Sequence, residues 1–502
     1  MNPAADGAPL DAAAVLAALR HALTPVGLGG DGARAHQFTI NGLTYPFVRH
    51  GNFAAVPDPI SRRYDLLSGL HAVRPGDLIF FFQADPQDPV NSIDSRRGMR
   101  GIYVATGQPY RGSASVLDRF TDCGYQVLAT CPSCGSAHGT FASVCPVCEK
   151  PYPTSLVRGK SDHPQRVLSA RIHIRPWVLL ERSVSDERVY GDLSDAGLIW
   201  IGRHDNAMGA GKGSSIRHLL PEEAEKLARL LLTEPGQRLG ICTTFEDDDC
   251  MPLCHDDGQP IECLPRQSNG MLSREDELYL ALVLQSHDSA SPFSREVQAK
   301  LPIGVEWTHL EYVAPLFPWG YTAGTADLVM TFRNQAGRRV IVVVECKRDT
   351  AHDEAVLQVI LYAERVLQVA FASIPPDRVL AAGEPVDIIT FIVAKGIKKI
   401  RADDARLAVP QLYSIERSYL GGPLVRALVH APQFLCYDAN GACERDCGSD
   451  AVLADRLTFT HAPSTSILEV DWSPQVGSVG TTVELNQILN GSWADARAAA
   501  AV

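Results

Sequence analysis

The 502-residue sequence lacks several features that mark specialised classes of protein. It has no apolar run of membrane-spanning length, and its start, Met1 to Asp6, lacks the basic and then apolar pattern of a signal peptide. These absences predict a cytoplasmic protein with no membrane partner. The sequence also lacks a helicase or NTPase motif, so a motor, if cleavage needs one, would be a separate partner.

Positive charge is not in excess either. The formal net charge is −12, with 21% charged and 45% apolar residues. The charge excludes a uniformly basic nucleic-acid coat, so any contact with phosphates must come from local patches or bound cations. The apolar fraction is ordinary for a globular protein, and the length allows several domains.

The most informative stretch is an apolar run from Val340 that ends in three polar residues, Glu345, Cys346 and Lys347. The run predicts a buried strand, and charged groups seldom leave water uncompensated. A second apolar segment begins at Asp327. Two acids at adjacent strand ends suit Mg²⁺ or Mn²⁺, and Lys347 projects to the same strand face as Glu345. The pattern predicts phosphodiester hydrolysis by metal-activated water.

A helix is predicted downstream, over residues 355–367. Gln358 and Tyr362 are four positions apart and therefore share one face of this helix. We expect that face to point back at the two acids.

Together these segments resemble the PD-(D/E)XK nuclease superfamily, near its RecB-like branch. The similar motifs lie within residues 272–399 and are the Gly-Thr-Ala-Asp stretch ending at Asp327, the Glu-Cys-Lys stretch and the Gln-x3-Tyr pair. The resemblance implies a restriction-endonuclease-like α/β core. It implies that Asp327, Glu345 and the Cys346 carbonyl bind metal and that Lys347 is catalytic. The alternative is that the acids are ordinary charges at strand ends.

The same resemblance implies further participants. Gln358 and Tyr362 would assist catalysis, and in many members an acid on the first helix joins the site. Glu277 is the best match for that acid, with Glu275 a close alternative.

Thirteen cysteines without a secretory signal favour metal binding over disulfides. Two C-x2-C knuckles are separated by ten residues and consist of Cys131, Cys134, Cys145 and Cys148. Four thiolates close a tetrahedral shell, so the pattern predicts a structural Zn²⁺ in a ribbon at residues 123–153. The alternative is a loop of reduced surface thiols. Buried or free thiols are favoured for two further groups of cysteines: Cys250, Cys254 and Cys263, and Cys436, Cys443 and Cys447.

Short strands punctuated by Gly and Pro predict a β-rich domain over residues 36–236. Within it, residues 75–82 and 100–104 resemble the core of PUA-like domains of the EVE and YTH kind. The resemblance implies an N-terminal PUA-like β-barrel in which the zinc ribbon is an insertion. Such domains bind RNA or hold a modified, flipped-out base.

A flipped base needs stacking walls and polar groups that read its edge. Candidate walls are Trp200, Tyr103 and Phe47. Candidate readers are Asn52, Arg203 and Asp205. The alternative for each aromatic residue is that it fills the core of a small barrel.

The predicted order is a helical appendage (1–35), the PUA-like domain (36–236), an acidic linker (237–270), the nuclease core (271–400) and an extension without an assigned role (401–502). The appendage carries one predicted helix, Ala12 to Leu23, capped by Asp11, and the PUA-like domain ends in another, Pro221 to Leu232.

The sequence therefore predicts an α/β multidomain, metal-dependent DNA endonuclease whose barrel selects the target, as in modification-dependent restriction or phage defence. One alternative is a nucleic-acid or nucleotide binding module with an inert nuclease fold. Another is an RNA-processing nuclease. A homodimer is the default expectation, because enzymes that cut both strands often pair active sites.

Overall fold

Two β-sheets organise the chain in the computed structural model. The structure describes residues 11–40, 53–56, 64–83, 98–111, 129–130, 134, 137–138, 147–150, 170–191, 199, 201, 216–235, 239–241, 263–265, 267, 269–318, 325–372, 386–398, 411–415, 425–439, 451–462 and 481–483. The first sheet uses strands before residue 242, and the second uses strands after residue 309. The chain is thus a mixed α/β protein, as the sequence predicts.

The first sheet has eight described strands in the order β10-β8-β4-β3-β1-β9, with β2 and β5 also paired to β8. A separate hairpin is formed by β6 and β7. The bounds are β1 (Ala35–Ile40), β2 (Phe53–Val56), β3 (Leu78–Gln83), β4 (Gly98–Ala105), β5 (Tyr110–Arg111), β6 (Ala129–Thr130), β7 (Ala137–His138), β8 (Ala170–Ser185), β9 (Ile216–Leu219) and β10 (Leu239–Ile241).

This sheet curls into a half-barrel because its longest strand serves several partners. The 16 residues of β8 pair with β2 and β5 near their start and with β4 and β10 farther on. Register shifts between β4 and β8 mark irregularities that bend the pair. The first of them ends at Gly101, where a side chain would collide, since a Cβ there would lie 2.7 Å from the carbonyl oxygen of Val178.

Helices cover the half-barrel. They are α1 (Ala12–Leu23), α2 (Tyr64–His71), α3 (Asp186–Tyr190) and α4 (Pro221–Thr233). The predicted bounds of α1 are confirmed, and Asp11 caps it by accepting a hydrogen bond from the Ala13 amide. This helix packs on α4 and buries Val15, Leu19 and Leu23 in the same core as the sheet, so it is part of the first half of the molecule.

The second sheet has nine described strands in the order β12-β13-β14-β15-β17-β16-β21, with β18 bridging β15 and β20. Two further strands, β11 and β19, pair with each other. The bounds are β11 (Cys263–Pro265), β12 (Leu310–Pro318), β13 (Thr325–Arg333), β14 (Arg339–Ala351), β15 (Val386–Ile397), β16 (Gln411–Ile415), β17 (Val425–Val429), β18 (Gln433–Asp438), β19 (Ala451–Leu453), β20 (Thr458–His461) and β21 (Thr481–Val483).

Helices α5 (Glu275–Gln285), α6 (Pro292–Gln298) and α7 (Asp353–Ala372) accompany this sheet. Strand β13 is antiparallel to both β12 and β14, whereas β14 and β15 are parallel and joined by α7. The described part of residues 401–502, for which the sequence assigns no role, adds strands to the same sheet through β17 and β18.

The apolar run in β14 is explained by burial on both faces. Val340, Val342 and Val344 pack in the cluster that contains the apolar side of α5, whereas Ile341 and Val343 pack in the cluster that contains α7. A strand covered on both sides reads as a continuous apolar run instead of an alternating one.

The two halves of the molecule meet across a buried boundary. Arg339 of β14 pairs with Glu222 of α4 at 2.6 Å and with Glu311 of β12 at 2.9 Å, and all three side chains are almost fully buried. The Tyr312 hydroxyl donates to the His218 carbonyl at 2.9 Å across the same boundary. These contacts fix the halves against each other.

Among the helices in the described ranges, none is both long and apolar enough to span a bilayer.

Candidate functional site

Register brings the two predicted acids together. Leu328 pairs with Val344, and one further step along this antiparallel register places Asp327 opposite Glu345. Directly opposed residues share a face of the sheet. The Asp327 Oδ2 atom also accepts a hydrogen bond of 2.7 Å from the Cys346 amide, so the carboxylate is anchored to the neighbouring strand.

The acids lie where β13 leaves β14. The described β13–β14 pairing ends at Leu328 and Val344, but β14 continues to Ala351 with β15 on its other side. The sequence predicts Glu345 and Lys347 at the end of their strand, and this is wrong: both lie in its interior. The pairing with β15 fixes the backbone of Glu345 and Lys347.

The electrostatics of the pair favour a cation. Burial and the neighbouring Glu345 carboxylate raise the pKa of Asp327 well above its usual range, and burial also raises the pKa of Glu345. Glu345 Oε2 is buried, and no described group donates to it. A divalent cation would compensate both charges, so the donor set fits Mg²⁺ or Mn²⁺.

Lys347 stands beside the acids as predicted. Its Nζ forms an ion pair with Glu345 Oε1, and its side chain is only 26% exposed. Burial alone would lower the pKa of Lys347, but the Glu345 carboxylate outweighs burial and raises it. The group is therefore an ammonium at neutral pH, suited to stabilising negative charge and not to acting as a base.

The acid that α5 presents to this site is Glu275. Its Oε2 accepts from the Arg348 amide at 3.2 Å, its Oε1 accepts from the Tyr279 hydroxyl at 3.3 Å, and its charge contributes to raising the pKa of Asp327 and Glu345. Residues two apart on a helix point about 200° apart, so only one acid of the pair can face the sheet.

Glu277, the better match by sequence, instead serves the start of α5. Its Oε2 accepts from the Ser273 and Arg274 amides at 2.9 and 3.1 Å, which otherwise lack intrahelical partners. Burial raises the pKa of Glu277 to about 7. These contacts give Glu277 a structural role at the start of α5.

The α7 pair lies on the acid side of β14. Burial raises the pKa of Tyr362, and Glu345 and Asp327 raise it further, which places the phenol within their field. Gln358 Oε1 is buried, and it lacks a partner among the residues described. Tyr279 is a further neighbour of the acids, which the sequence does not predict. Burial raises the pKa of its phenol, and the Asp327 charge raises it further. Its i, i+4 spacing from Glu275 is the signal that points to it.

The predicted zinc ligands are only partly within the described residues. The β6–β7 hairpin encloses the first knuckle, since Ala129 pairs with His138 on either side of it. Cys134 is exposed and Cys148 half-buried, whereas Cys131 and Cys145 lie outside the described residues. In the part of the chain that is described, no group of three or more His, Cys, Asp or Glu residues is arranged to hold a metal.

Most predicted base-binding residues also lie outside the described residues: Phe47, Asn52, Trp200, Arg203 and Asp205. Tyr103 is described, and it is fully buried in the core of the half-barrel. Its ring makes an edge contact with Phe81 at a centroid distance of 4.9 Å. This environment favours the core-filling alternative for Tyr103.

Two other cysteines within the described residues are thiols in buried or partly buried environments. Cys346 is fully buried and Cys436 is half-buried, and burial raises the pKa of both. Cys263 contributes backbone to β11, while Cys250, Cys254, Cys443 and Cys447 lie outside the described residues.

Comparison with known proteins assigns no family. No protein-family model matches the chain, and no curated protein matches it. A solved structure of a hypothetical protein from Leishmania major aligns with 40% of this chain and 92% of its own, at 9% identity and a TM-score of 0.21. A similarity this low carries no argument about fold or function.

Proposed function

We propose that the protein is a metal-dependent nuclease that hydrolyses phosphodiester bonds in DNA. One observation carries the proposal: two buried carboxylates, Asp327 and Glu345, face each other with Glu345 Oε2 unsatisfied among the described residues, and Lys347 stands beside them. Buried like charges are costly in isolation and are typical of cation sites.

The residues available to Mg²⁺ or Mn²⁺ are the Asp327 and Glu345 carboxylates and the Cys346 carbonyl, with Glu275 behind them. A bound divalent cation supplies a more acidic water and polarises a phosphate oxygen. Lys347 would neutralise charge that develops on the phosphate in the transition state. Gln358 and Tyr362, on the facing helix, would orient water and the scissile phosphate. The products would carry a 5′-phosphate, as the superfamily resemblance implies.

Target selection would belong to the first half of the molecule, the half-barrel with its cysteine knuckles. The proposal includes a PUA-like domain that holds a base, quite distinct from the cutting site, and a structural Zn²⁺ at Cys131, Cys134, Cys145 and Cys148. Support comes from the curled sheet and from the β6–β7 hairpin around the first knuckle. The net charge of −12 makes local contacts and cations the means of approaching DNA.

The test is a cleavage panel with the full chain. Plain DNA, DNA with differently modified bases and matched RNA are incubated with Mg²⁺ or Mn²⁺ and with chelator. We expect metal-dependent cleavage of DNA, lost in Glu345→Ala and Lys347→Ala and retained in the matched surface controls Glu354→Ala and Lys300→Ala, whose parent residues are exposed.

The other outcomes separate the alternatives. Preferential cleavage of RNA would make this an RNA-processing nuclease. Absence of cleavage on every substrate, together with retained nucleic-acid binding, would make it a binding module with an inert nuclease fold.

A further inference from the structure

Arg34 is a buried charge whose guanidinium is unsatisfied. The residue is 2% exposed and directly precedes β1. Nε, Nη1 and Nη2 are all buried, and none of them has a hydrogen-bond partner in the described part of the chain. A guanidinium has five N–H donors and does not lose its proton in proteins. An unpaired buried guanidinium is strongly unfavourable, so a partner is required.

The buried carboxylate of Asp77, beside Arg34, is already engaged. Asp77 accepts hydrogen bonds from the Arg34 and Arg74 backbone amides at 2.9 and 2.8 Å and contacts His36 Nε2 at 2.9 Å. Although burial raises the pKa of Asp77, the hydrogen bond to His36 helps to lower it to about 2, so the group is ionised. Arg74 also pairs with it, at 3.8 Å. Arg74 therefore pairs with Asp77, whereas the Arg34 guanidinium forms an ion pair with no carboxylate of the described residues.

Hydrogen bonding fixes the histidine tautomers around this cluster. His36 Nε2 contacts the Asp77 carboxylate, so it carries the proton and Nδ1 is an acceptor. His218 Nδ1, 2.8 Å from His36 Nδ1, must then be the donor, which leaves His218 Nε2 as an acceptor. His287 Nε2 lies 2.6 Å from the His71 carbonyl and must donate to it, so His287 Nδ1 is also an acceptor.

Both of these acceptors are buried, and neither has a partner among the described residues. Burial lowers the pKa of His218 and of His287. Strand register brings His218 to the same face as Arg34, because His218 pairs with His36, two positions after Arg34. His287 contacts the carbonyl of His71, three residues before Arg74, which pairs with Asp77. Burial brings the pKa of His287 to about 3. The rings are therefore neutral, and the buried groups without a partner among the described residues comprise a cationic donor fork and two neutral acceptors.

We propose that this cluster is a binding site for a protonated oxyanion of the phosphate type, with Arg34 as its cationic anchor. The oxyanion oxygens accept from the Arg34 fork, and its remaining hydroxyl donates to His218 Nε2 or His287 Nδ1. Water matches the hydrogen bonds but supplies no charge. Sulfate supplies charge but carries no proton at neutral pH, so it meets two ring nitrogens as acceptor against acceptor.

The site lies at the boundary between the two halves of the molecule. Arg34, Asp77 and His218 belong to the first half, whereas His287 follows α5 of the second, and α2 packs against α5 there. A bound oxyanion would therefore join the halves as well as compensate Arg34. This proposal is independent of the nuclease function.

The test uses the full chain after exhaustive dialysis into phosphate-free buffer. Thermal unfolding is measured with inorganic phosphate, sulfate or a nucleoside monophosphate, and protein denatured as purified is assayed for released phosphate. We expect stoichiometric phosphate in the purified protein and a rise in Tm of about 3 °C or more at saturating phosphate. Sulfate is expected to give a clearly smaller rise.

Two variants locate the effect. Arg34→Met should abolish the phosphate-dependent rise, whereas Arg20→Met, which alters a half-exposed surface arginine, should retain it. Stabilisation by the nucleotide alone would assign the ligand as a terminal nucleotide phosphate. The absence of any phosphate or nucleotide effect, an equal effect of sulfate, or an unchanged effect in Arg34→Met would overturn the proposal. The comparison of anions on the unaltered protein decides the matter even if Arg34→Met does not fold.

Discussion

The buried boundary makes a quantitative prediction for Arg339→Met. Arg339 is 3% exposed and contacts Glu222 and Glu311, which are 3% and 2% exposed. Methionine preserves much of the packing volume but leaves two buried carboxylates without their main cationic partner. Removing one partner of a buried ion pair costs about 3–5 kcal/mol.

Arg333 limits the loss. It keeps an ion pair of 2.9 Å with Glu311 but lies 3.9 Å from Glu222, so it compensates the first acid better than the second. We therefore expect the lower part of the range, a loss of about 3 kcal/mol in the free energy of unfolding. Arg338→Met is the matched control, because Arg338 is 30% exposed and its ion pair with Asp387 is partly screened. Its expected cost is about 1 kcal/mol.

Urea unfolding of the full chain, followed by circular dichroism and tryptophan fluorescence, measures the loss. The pH dependence gives a second reading. Burial raises the pKa of Glu222, but Arg339 and Arg333 outweigh it and the pKa is lowered, so this stability is present above the unfolded pKa and lost as pH falls through the lowered folded value. The difference between Arg339→Met and the unaltered protein should therefore shrink in acid. A loss equal to that of Arg338→Met, or one that grows in acid, would refute the reasoning.

Three further predictions concern the candidate sites. Glu345→Ala and Lys347→Ala should each reduce metal-dependent cleavage at least ~100-fold while the unfolding transition is retained, measured by gel assay and circular dichroism. Glu275→Gln should reduce cleavage about tenfold with little change in stability, whereas Glu277→Gln should leave cleavage intact and change stability with pH. Cys134→Ser should reduce the zinc content of the purified protein, measured by mass spectrometry, and leave the cleavage chemistry unchanged.

The sign of the Glu277 effect follows from its raised pKa. A carboxyl with a raised folded pKa favours the protonated form, so its contribution to stability is present at low pH and is lost as pH rises toward about 7. Glu277→Gln should remove this dependence. Equal pH profiles for the variant and the unaltered protein would contradict the structural position of Glu277, and unchanged cleavage in Glu275→Gln would remove Glu275 from the site.

Local signals in the sequence predict much of the local structure. Helix α1 has its predicted bounds because an aspartate cap and apolar spacing act within one segment. Helix α4, predicted over Pro221 to Leu232, extends one residue farther, to Thr233. The apolar run of β14 and the helix after it are likewise readable, because burial on both faces of a strand and helical periodicity leave marks in adjacent residues.

Long-range relations are not readable in the same way. Whether Glu275 or Glu277 faces the acids depends on how α5 rotates against the sheet, which no residue in the helix specifies alone. The pairing of Arg339 with Glu222 joins residues 117 positions apart, and the strands after residue 401 carry no motif. The burial of Arg34 is not predictable from the residues around it in the sequence, because it follows from the packing of the two halves.

Strand β14 has a mechanical consequence. Arg339, the first residue of β14, forms an ion pair with Glu222 in the first half of the molecule. Glu345 lies six residues farther along the same face of the strand, about 20 Å away at 3.3 Å per residue. Because β14 is hydrogen-bonded to β15, it does not stretch. It therefore acts as a rigid element that begins at the boundary and carries Glu345 in its interior. A tilt of the half-barrel would therefore shift the two acids relative to Glu275 of α5. The ion pairs that hold the halves together thus also influence the geometry of the candidate site.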